Sequence, residues 1–391
     1  MKKKLVSTFF VFFLSFVLFG NSFTDRVFEI KTNIPVGISN NVLALNNILV
    51  KDLKIDLRDI ARRIPNEGLN ANPELSLNFR IKELRFGIDA GVDVNGIFTT
   101  SKDLFDFLGY GNELGDELDI SISNDMDIYA YANAHLGFKA GKCKIVLQPT
   151  IFAPIFSTAG KIGEFSYLND EDGRFLVRIA SDFAIHSLYD LESNSLLFDL
   201  PYYLMHCGVD IGGNFLIPVS PITSLKFETR IPIMPGKLTN TKHTVIEYEM
   251  DTQISSIGSA ELESSSSDYY VRDDTFYVNR PLKLDVYVNY NPMGSLFDFC
   301  AGAGFGVFHP FVENTHFYPE YYFGVDMSLA RLITLGVSTE YMNQVFKHEL
   351  TFDFNVRFVE IDLGVSLQSA TFTKSFATTG FGAYVMFAFG F

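Results

Sequence analysis

The chain has 391 residues, of which 47% are hydrophobic, and its formal net charge is −15. This acidic balance argues against nucleic acid as a partner, because phosphate binding needs clustered lysine and arginine. The cysteines Cys143, Cys207 and Cys300 are far apart, which argues against a disulfide framework or a zinc site.

Residues 1–22 have the features of a secretory signal peptide. Three lysines at 2–4 precede an apolar run over 5–19, and small residues at 20 and 22 suit cleavage before Phe23. The apolar run is shorter than the roughly 20 residues of a membrane-spanning helix. We therefore expect an exported chain.

Residues 23–82 differ in pattern from the remainder of the mature chain. The spacing of Val42, Leu45, Leu49 and Leu53 predicts an amphipathic helix, although residues 74–82 alternate like a strand. The sequence therefore predicts a separate N-terminal segment over 23–82.

From residue 83 onward, apolar and polar residues alternate with the period of two that marks a half-buried strand. In 349–358, for example, Leu350, Phe352 and Phe354 oppose Thr351 and Asp353. Such segments predict about fourteen strands, near 84–96, 127–138, 143–153, 174–187, 205–217, 222–233, 243–256, 270–292, 299–309, 319–330, 331–343, 347–358, 359–371 and 379–391.

The connections between these segments alternate between short and long, apart from 188–204 and 218–221. In the first long connection, Ser101 can cap a short helix that ends at Gly109 or Gly111.

The last predicted strand, GFGAYVMFAFGF, places Phe387, Phe389 and Phe391 on one face and mostly small residues on the other. A soluble β-sandwich would also explain alternation, since it buries apolar faces against each other. It explains less well one strand pattern that continues for about 300 residues behind a signal peptide. Hydrocarbon tolerates no open sheet edges, so a sheet that spans a membrane must close into a barrel.

We therefore predict an all-β protein, a transmembrane antiparallel β-barrel of about 14 strands (14–16) over residues 83–391. Residues 23–82 would form a plug or hatch. Residues 74–82 are assigned to the plug because fifteen wall strands would break the even number usual in bacterial single-chain barrels.

Two resemblances follow from these features. The strand that ends in Phe387, Phe389 and Phe391 resembles the C-terminal assembly signal of bacterial outer-membrane barrels. The layout of signal peptide, N-terminal segment, about fourteen strands and terminal Phe resembles the long-chain fatty-acid transporters (FadL-like), in particular their diverged spirochaete set. The Asn-Pro-Ala element of that family is missing; NIPVG at 33–37 and NANPEL at 70–75 are loose echoes of it.

The resemblance implies a place in the outer membrane, in contact with its lipid, after insertion by the barrel assembly machinery. It also implies uptake of a hydrophobic small-molecule ligand, long-chain fatty acid in the first instance, and no cofactor. The ligand would bind at the outer loops, pass a pocket beside the hatch and leave through a gap in the wall.

Two groups of residues are candidates for ligand binding. Strand parity turns Arg178, Lys226 and Arg230 inward, where they can meet a carboxylate or form salt bridges that hold the wall to the plug. Apolar residues of the first long loop can form an outer groove or pack the loop against the rim: Leu104, Phe105, Phe107 and Leu108.

The rival to transport is a structural or adhesive surface barrel that binds a partner through its outer loops. An enzyme is not expected, because a lipolytic barrel needs Ser, His and Asn or Asp together at one membrane-facing rim. The histidines considered for that role, His186, His206, His243 and His348, are scattered without a recognisable partner. No spaced His or Cys residues predict a metal site.

Overall fold

The computed structural model describes residues 26–391 except 41–56, 65, 67, 84, 112–114, 116, 159–160, 190–199, 254–262, 294–295, 309, 312–314, 330–331, 343–344, 357, 370 and 377–379. These residues form eighteen strands and four short helices. The strands are β1 Phe28–Asn40, β2 Leu69–Glu83, β3 Phe86–Thr100, β4 Glu117–Ala140, β5 Cys143–Thr158, β6 Lys161–Asn169, β7 Arg174–Ser187, β8 Gly208–Ser220, β9 Thr223–Met234, β10 Gly236–Gln253, β11 Glu263–Val278, β12 Leu282–Tyr290, β13 Phe297–Phe308, β14 His316–Leu329, β15 Ile333–Met342, β16 Val345–Val356, β17 Val359–Ser369 and β18 Phe381–Gly390. The helices are α1 Leu57–Arg63, α2 Lys102–Tyr110, α3 Leu200–His206 and α4 Phe372–Ser375.

All eighteen strands belong to one antiparallel sheet. Setting aside β6, β7, β10 and β11, the other fourteen strands pair in a closed ring, in the order β1 to β5, β8, β9 and β12 to β18. The ring closes because β1 pairs with β18 as well as with β2, from Glu29 opposite Gly390 to Ile38 opposite Phe381. The predicted closed, all-β antiparallel barrel is confirmed.

The other four strands, here called the β extension, continue the wall beyond β4 and β5. β6 pairs with β4 from Glu117 to Ser123, whereas the rest of β4 pairs with β5. β7 pairs with β6 and β10, and β10 pairs with β11. Near the tip, Arg174 donates hydrogen bonds of 3.0 and 2.8 Å to the carboxylate of Asp251, and these lower the pKa of Asp251.

The fourteen strands of the ring fall within the predicted 14–16, but the whole sheet has eighteen strands and the predicted wall strands are not all members of the ring. β6 was assigned to a loop, and β11 and β12 were merged into one segment over 270–292. A break at Asn279, Arg280 and Pro281 separates those two strands.

The N-terminal segment also needs correction. Residues 28–40 and 69–83 are ring strands β1 and β2, so the prediction that 23–82 form a plug was wrong for them. The physical reason is closure: without β1, the edge of β18 would have no partner on that side. The helix predicted over 42–53 and the signal peptide over 1–22 lie outside the described residues.

The two ends of the ring differ in their connections. One end, here the turn end, has the short links 84–85, 141–142, 221–222, 291–296, 330–332 and 357–358, together with Phe391. The opposite loop end has the longest links and the β extension, together with the short links 235 and 343–344. The two connections that did not fit the predicted alternation of short and long links, 188–204 and 218–221, agree with the structure. Residues 188–204 follow β7 at the loop end, and 221–222 form a short link at the turn end.

Each wall strand has one apolar face and one mixed face. On β18, Phe387 is 48% exposed on the outside whereas Ala388 is 0% exposed on the inside. The same outward exposure of large apolar side chains recurs around the ring, for example at Leu77, Val286 and Leu350. The exterior therefore suits hydrocarbon rather than water.

The helices are short and lie at the loop end. α2 begins after Ser101 and ends at Gly111, whose φ is 80°, in agreement with the predicted helix. Ser101 does not cap the helix with its side chain; instead its hydroxyl accepts a hydrogen bond from Ser121 N at 3.1 Å. Within the described part of the chain, no helix is both long and apolar enough to cross a membrane.

A charge on the outer face tests the medium that the wall meets. Val337 lies near the middle of β15 and is 61% exposed. We expect Val337→Arg to lower the free energy of unfolding from lipid vesicles by about 2–4 kcal/mol, as for cations at the mid-plane of other barrels. Leu108→Arg, on the exposed face of α2, is the matched control and should change stability little. Equal losses from the two variants would contradict a hydrocarbon-facing wall.

Candidate functional site

The interior of the ring is filled in part by large aromatic side chains that face glycines. A Cβ atom on Gly306 would lie only 2.0 Å from Tyr318 Cζ, and one on Gly364 would lie 2.0 Å from Tyr384 Cε1. A Cβ on Gly302 would meet the Tyr287 ring at 2.3 Å. These inward glycines are required because a side chain of any size would displace a tyrosine that lies along the wall on the neighbouring strand.

Arg280 ties several parts of the wall together inside the lumen. It is 2% exposed and lies just before β12. Its guanidinium is 3.0 Å from Asp210 Oδ2 on β8 and 3.6 Å from Asp93 Oδ2 on β3. It also stands 4.6 Å from the ring centre of Tyr131 and 5.4 Å from that of Tyr129, both on β4. Two carboxylates and two aromatic faces compensate in part for the loss of water around this arginine, whose Nε has no hydrogen-bond partner among the described residues.

Two of the three predicted cations also lie on ring strand β9. Lys226 Nζ is 2.5 Å from Glu228 Oε1 and 5.4 Å from the ring centre of Tyr287. Arg230 interacts electrostatically with Asp93. Both therefore face the lumen, but each is already engaged with an acidic wall residue.

Arg178, the third predicted cation, lies elsewhere. It is on β7 in the β extension, with an exposed side chain 4.0 Å from Glu249 Oε2. The structure therefore does not bring Arg178 together with Lys226 and Arg230. The sequence treated β7 as a wall strand, and that assignment moved Arg178 into the lumen.

The predicted apolar loop residues lie on α2 and divide into two sets. Phe105 packs against Ile60 and Ile64, at the end of α1. Phe107 packs against Tyr167 of β6, with ring centres 5.2 Å apart. These contacts fix α2 to the rim and to the β extension.

The other two apolar residues of α2 are less engaged. Leu104 is half-buried, and Leu108 is 48% exposed. A continuous outer groove made by all four residues is therefore not formed.

A cavity of about 210 Å³ lies inside the ring at the loop end. It has both polar and apolar walls, contributed by β1, β2, β3, β13, β15, β16 and β17. The lining residues are Ser39, Asn72, Pro73, Glu74, Asn95, Gly96, Ile97, Phe308, Glu340, Met342, Val345, Lys347 and Gln368.

Next to this cavity, the pairing of β2 with β3 is interrupted. The register runs from Leu69 to Glu83 of β2, but the ladder with β3 skips the positions of Asn72 and Pro73, which pair on their other side with β1. Proline has no N–H to donate, which weakens a ladder at that point. Consecutive residues of both strands, 72–74 and 95–97, line the cavity, although neighbouring residues of a strand point to opposite faces. The cavity therefore reaches the wall itself at the interruption.

Sequence reasoning missed Arg280 and most of the cavity. Arg280 lies in a strand break, where the period of two gives no direction to its side chain. Glu340, Lys347 and Gln368 do have inward parity on recognisable strands, but parity alone does not show that they lie together at one end of the lumen.

Of the comparisons with known proteins, only the one with solved structures found matches. No protein-family model matches the sequence, and no curated protein matches it. The P. putida toluene transporter TodX has a TM-score of 0.47 and 10% identity, covering 94% of this chain and 90% of its own.

The Ralstonia pickettii toluene transporter TbuX has a TM-score of 0.45 and 10% identity, with 94% and 90% covered. The CymD monoaromatic hydrocarbon channel has a TM-score of 0.43 and 7% identity, with 94% and 89% covered. Similarity at this level leaves the function to be argued from the geometry of the chain itself.

His348, which the sequence left without a partner, has two on the outer face of the wall. Its Nε2 is 2.7 Å from Ser375 Oγ, and its Nδ1 is 3.0 Å from Thr339 Oγ1. Ser375 is fully buried and donates to Phe372 O at 2.5 Å, while Phe376 stacks on the imidazole. A buried hydroxyl held by a backbone carbonyl is poorly placed to attack a lipid ester, so these contacts anchor α4.

Removal of the Arg280 guanidinium tests its role as a tie across the lumen. In Arg280→Ala the carboxylates of Asp93 and Asp210 stay in the interior without their cation, and we expect the free energy of unfolding to fall by about 3–5 kcal/mol. Arg174→Ala, which removes an exposed ion pair at the tip of the β extension, is the control and should have little effect. Denaturant titration in lipid vesicles measures both, and similar losses would contradict the assignment.

Proposed function

We propose that the protein takes up a hydrophobic small molecule across the outer membrane. The observation that carries this proposal is the cavity at the loop end, which reaches the interrupted pairing of β2 with β3. Ligand sites in barrels commonly lie at the mouth and combine apolar walls with a few polar groups. This cavity has that composition.

The interruption offers the ligand a route to lipid. On β3, Asp93 lies two residues turnward of Asn95, which lines the cavity, and it belongs to the group of Arg280, carboxylates and tyrosines that would bind an apolar molecule poorly. On the outside of the wall near the interruption, Ile38 and Leu75 are exposed apolar residues. A sideways step through the wall therefore costs an apolar ligand less than passage down the polar lumen.

The outer membrane follows from a closed barrel with an apolar exterior, together with the signal peptide expected at 1–22. Phe387, Phe389 and Phe391 remain the predicted signal for the barrel assembly machinery. In the structure, Phe391 O accepts hydrogen bonds from Val27 N at 2.7 Å and Phe28 N at 3.1 Å, so the last strand is also where the ring closes.

Long-chain fatty acid, the ligand implied by the family resemblance, stays a prediction. Its carboxylate would need a cation, and the predicted partners Lys226 and Arg230 already face Glu228 and Asp93. Of the residues that line the cavity, Lys347 is the cationic one.

A second candidate function has its own support in the β extension. These four strands project beyond the ring at the loop end, where a structural or adhesive surface barrel would bind a partner. If this is the function, uptake of hydrophobic molecules is absent and changes in the cavity have no effect on binding to cells or envelope components.

Filling the cavity separates the two candidates. Val345 lines the cavity from β16, so Val345→Trp should block it and reduce uptake of a labelled long-chain alcohol by about tenfold, equal to roughly 1.4 kcal/mol of lost binding. The measurement is made in a host that lacks its own transporter for such molecules, after correct insertion has been verified by heat-modifiable migration.

Val337→Trp, on the lipid face of β15, is the matched control and should leave uptake unchanged. If the inserted parent chain takes up no alcohol, amine or fatty acid above the empty host, the transport proposal fails.

A further inference from the structure

The charged residues that line the loop-end cavity are Lys347, Glu74 and Glu340, and Glu349 contacts Lys347 from outside the lining. Lys347 Nζ is 3.5 Å from Glu340 Oε1 and 3.1 Å from Glu349 Oε2. Glu74 lines the same cavity with an exposed side chain and interacts electrostatically with Lys347. The cation of the cavity is thus already surrounded by acidic groups.

An incoming carboxylate would meet an unfavourable set of charges here. To reach Lys347 it would have to displace Glu340 or Glu349 and stand close to Glu74. Like charges brought together in a partly dehydrated site repel strongly, whereas a cation would gain an attraction to the same carboxylates.

We propose that the cavity binds the head group of a cationic amphiphile, a primary alkyl amine, in preference to a carboxylate. This rests on the uptake function proposed above and names its ligand class. The ammonium lies between Glu74 and Glu340, where it can donate three hydrogen bonds. The cation replaces none of the existing contacts of Lys347.

The apolar part of the cavity accounts for the tail. Ile97, Phe308, Met342 and Val345 line it beside the charged groups. Its volume of about 210 Å³ is below the roughly 300–1,000 Å³ of pockets that enclose a whole drug-sized ligand. The cavity therefore holds the head and the first methylenes, and the rest of the chain passes through the interruption between β2 and β3.

Three probes with one tail length test the preference: octylamine, octanol and octanoate, titrated calorimetrically at pH 7 into the full chain in detergent. We expect octylamine to bind at least about tenfold more tightly than octanoate, a difference of roughly 1.4 kcal/mol. Octanol should fall between the two.

Glu340→Gln and Glu74→Gln each remove one carboxylate from the cavity, and each should reduce the ratio of amine to carboxylate affinity by about threefold or more, while the affinity for octanol stays the same. Two variants are used because Glu340 is half-buried, and its substitution can disturb folding. Glu74 is exposed, so Glu74→Gln is expected to fold normally. Asp251→Asn removes a carboxylate from the β extension and controls for general attraction of amines to an acidic protein.

The outcomes separate this inference from the uptake function. The inference is overturned if octanoate binds as tightly as octylamine. It is also overturned if the preference for the amine is unchanged in both Glu340→Gln and Glu74→Gln. Neither result contradicts the uptake function. If the same ratio falls in Asp251→Asn, the preference belongs to the whole surface, which also overturns the inference. If none of the three probes binds and none is taken up, the uptake function itself fails.

Discussion

The structure depends on one constraint, that every backbone N–H and C=O group of a wall in hydrocarbon needs a partner inside the protein. The ring meets it where the chain returns on itself: β1 lies between β2 and β18, and the backbone of Phe391 bonds to that of Phe28. This explains why residues 28–40 are wall. A plug formed by them would leave β18 with an open edge along the whole membrane. Closure by the first and last strands also makes the folded ring depend on both ends of the chain at once.

The period of apolar side chains predicts only those features that depend on residues close together in sequence. The alternation of Leu350, Phe352 and Phe354 with polar residues identified the strands and their outward faces, because orientation relative to the sheet is a property of neighbours in sequence. Pairing partners are not. The period of two occurs both in β7 of the β extension and in β9 of the ring. It therefore predicts that Arg178 on β7 and Lys226 on β9 face the same lumen. Which strands belong to the ring is decided by hydrogen bonds between residues far apart in sequence, such as those of β4 with both β5 and β6.

Inside the ring, two arrangements join separate strands. Glycines such as Gly306 allow tyrosines such as Tyr318 to lie flat along the wall on the neighbouring strand, and Arg280 contacts carboxylates of β3 and β8. Neither is visible as a motif, because each joins separate strands and shows no local signal. Their joint effect is a polar middle of the lumen that suits ions and water better than an apolar molecule.

The interruption between β2 and β3 is one of several short gaps in the pairing of the wall that coincide with a proline, as at Pro35 of β1 and Pro149 of β5. The gap is confined to one side of each strand, because Asn72 and Pro73 still pair with β1 and Gly96 and Ile97 still pair with β4. What distinguishes this gap is its position, since residues on both sides of it line the cavity. The gap therefore coincides with the cavity, with its apolar lining and with the carboxylates around Lys347. A ligand whose head stays with those carboxylates and whose tail fills the interruption would use the polar and the apolar halves of the same opening.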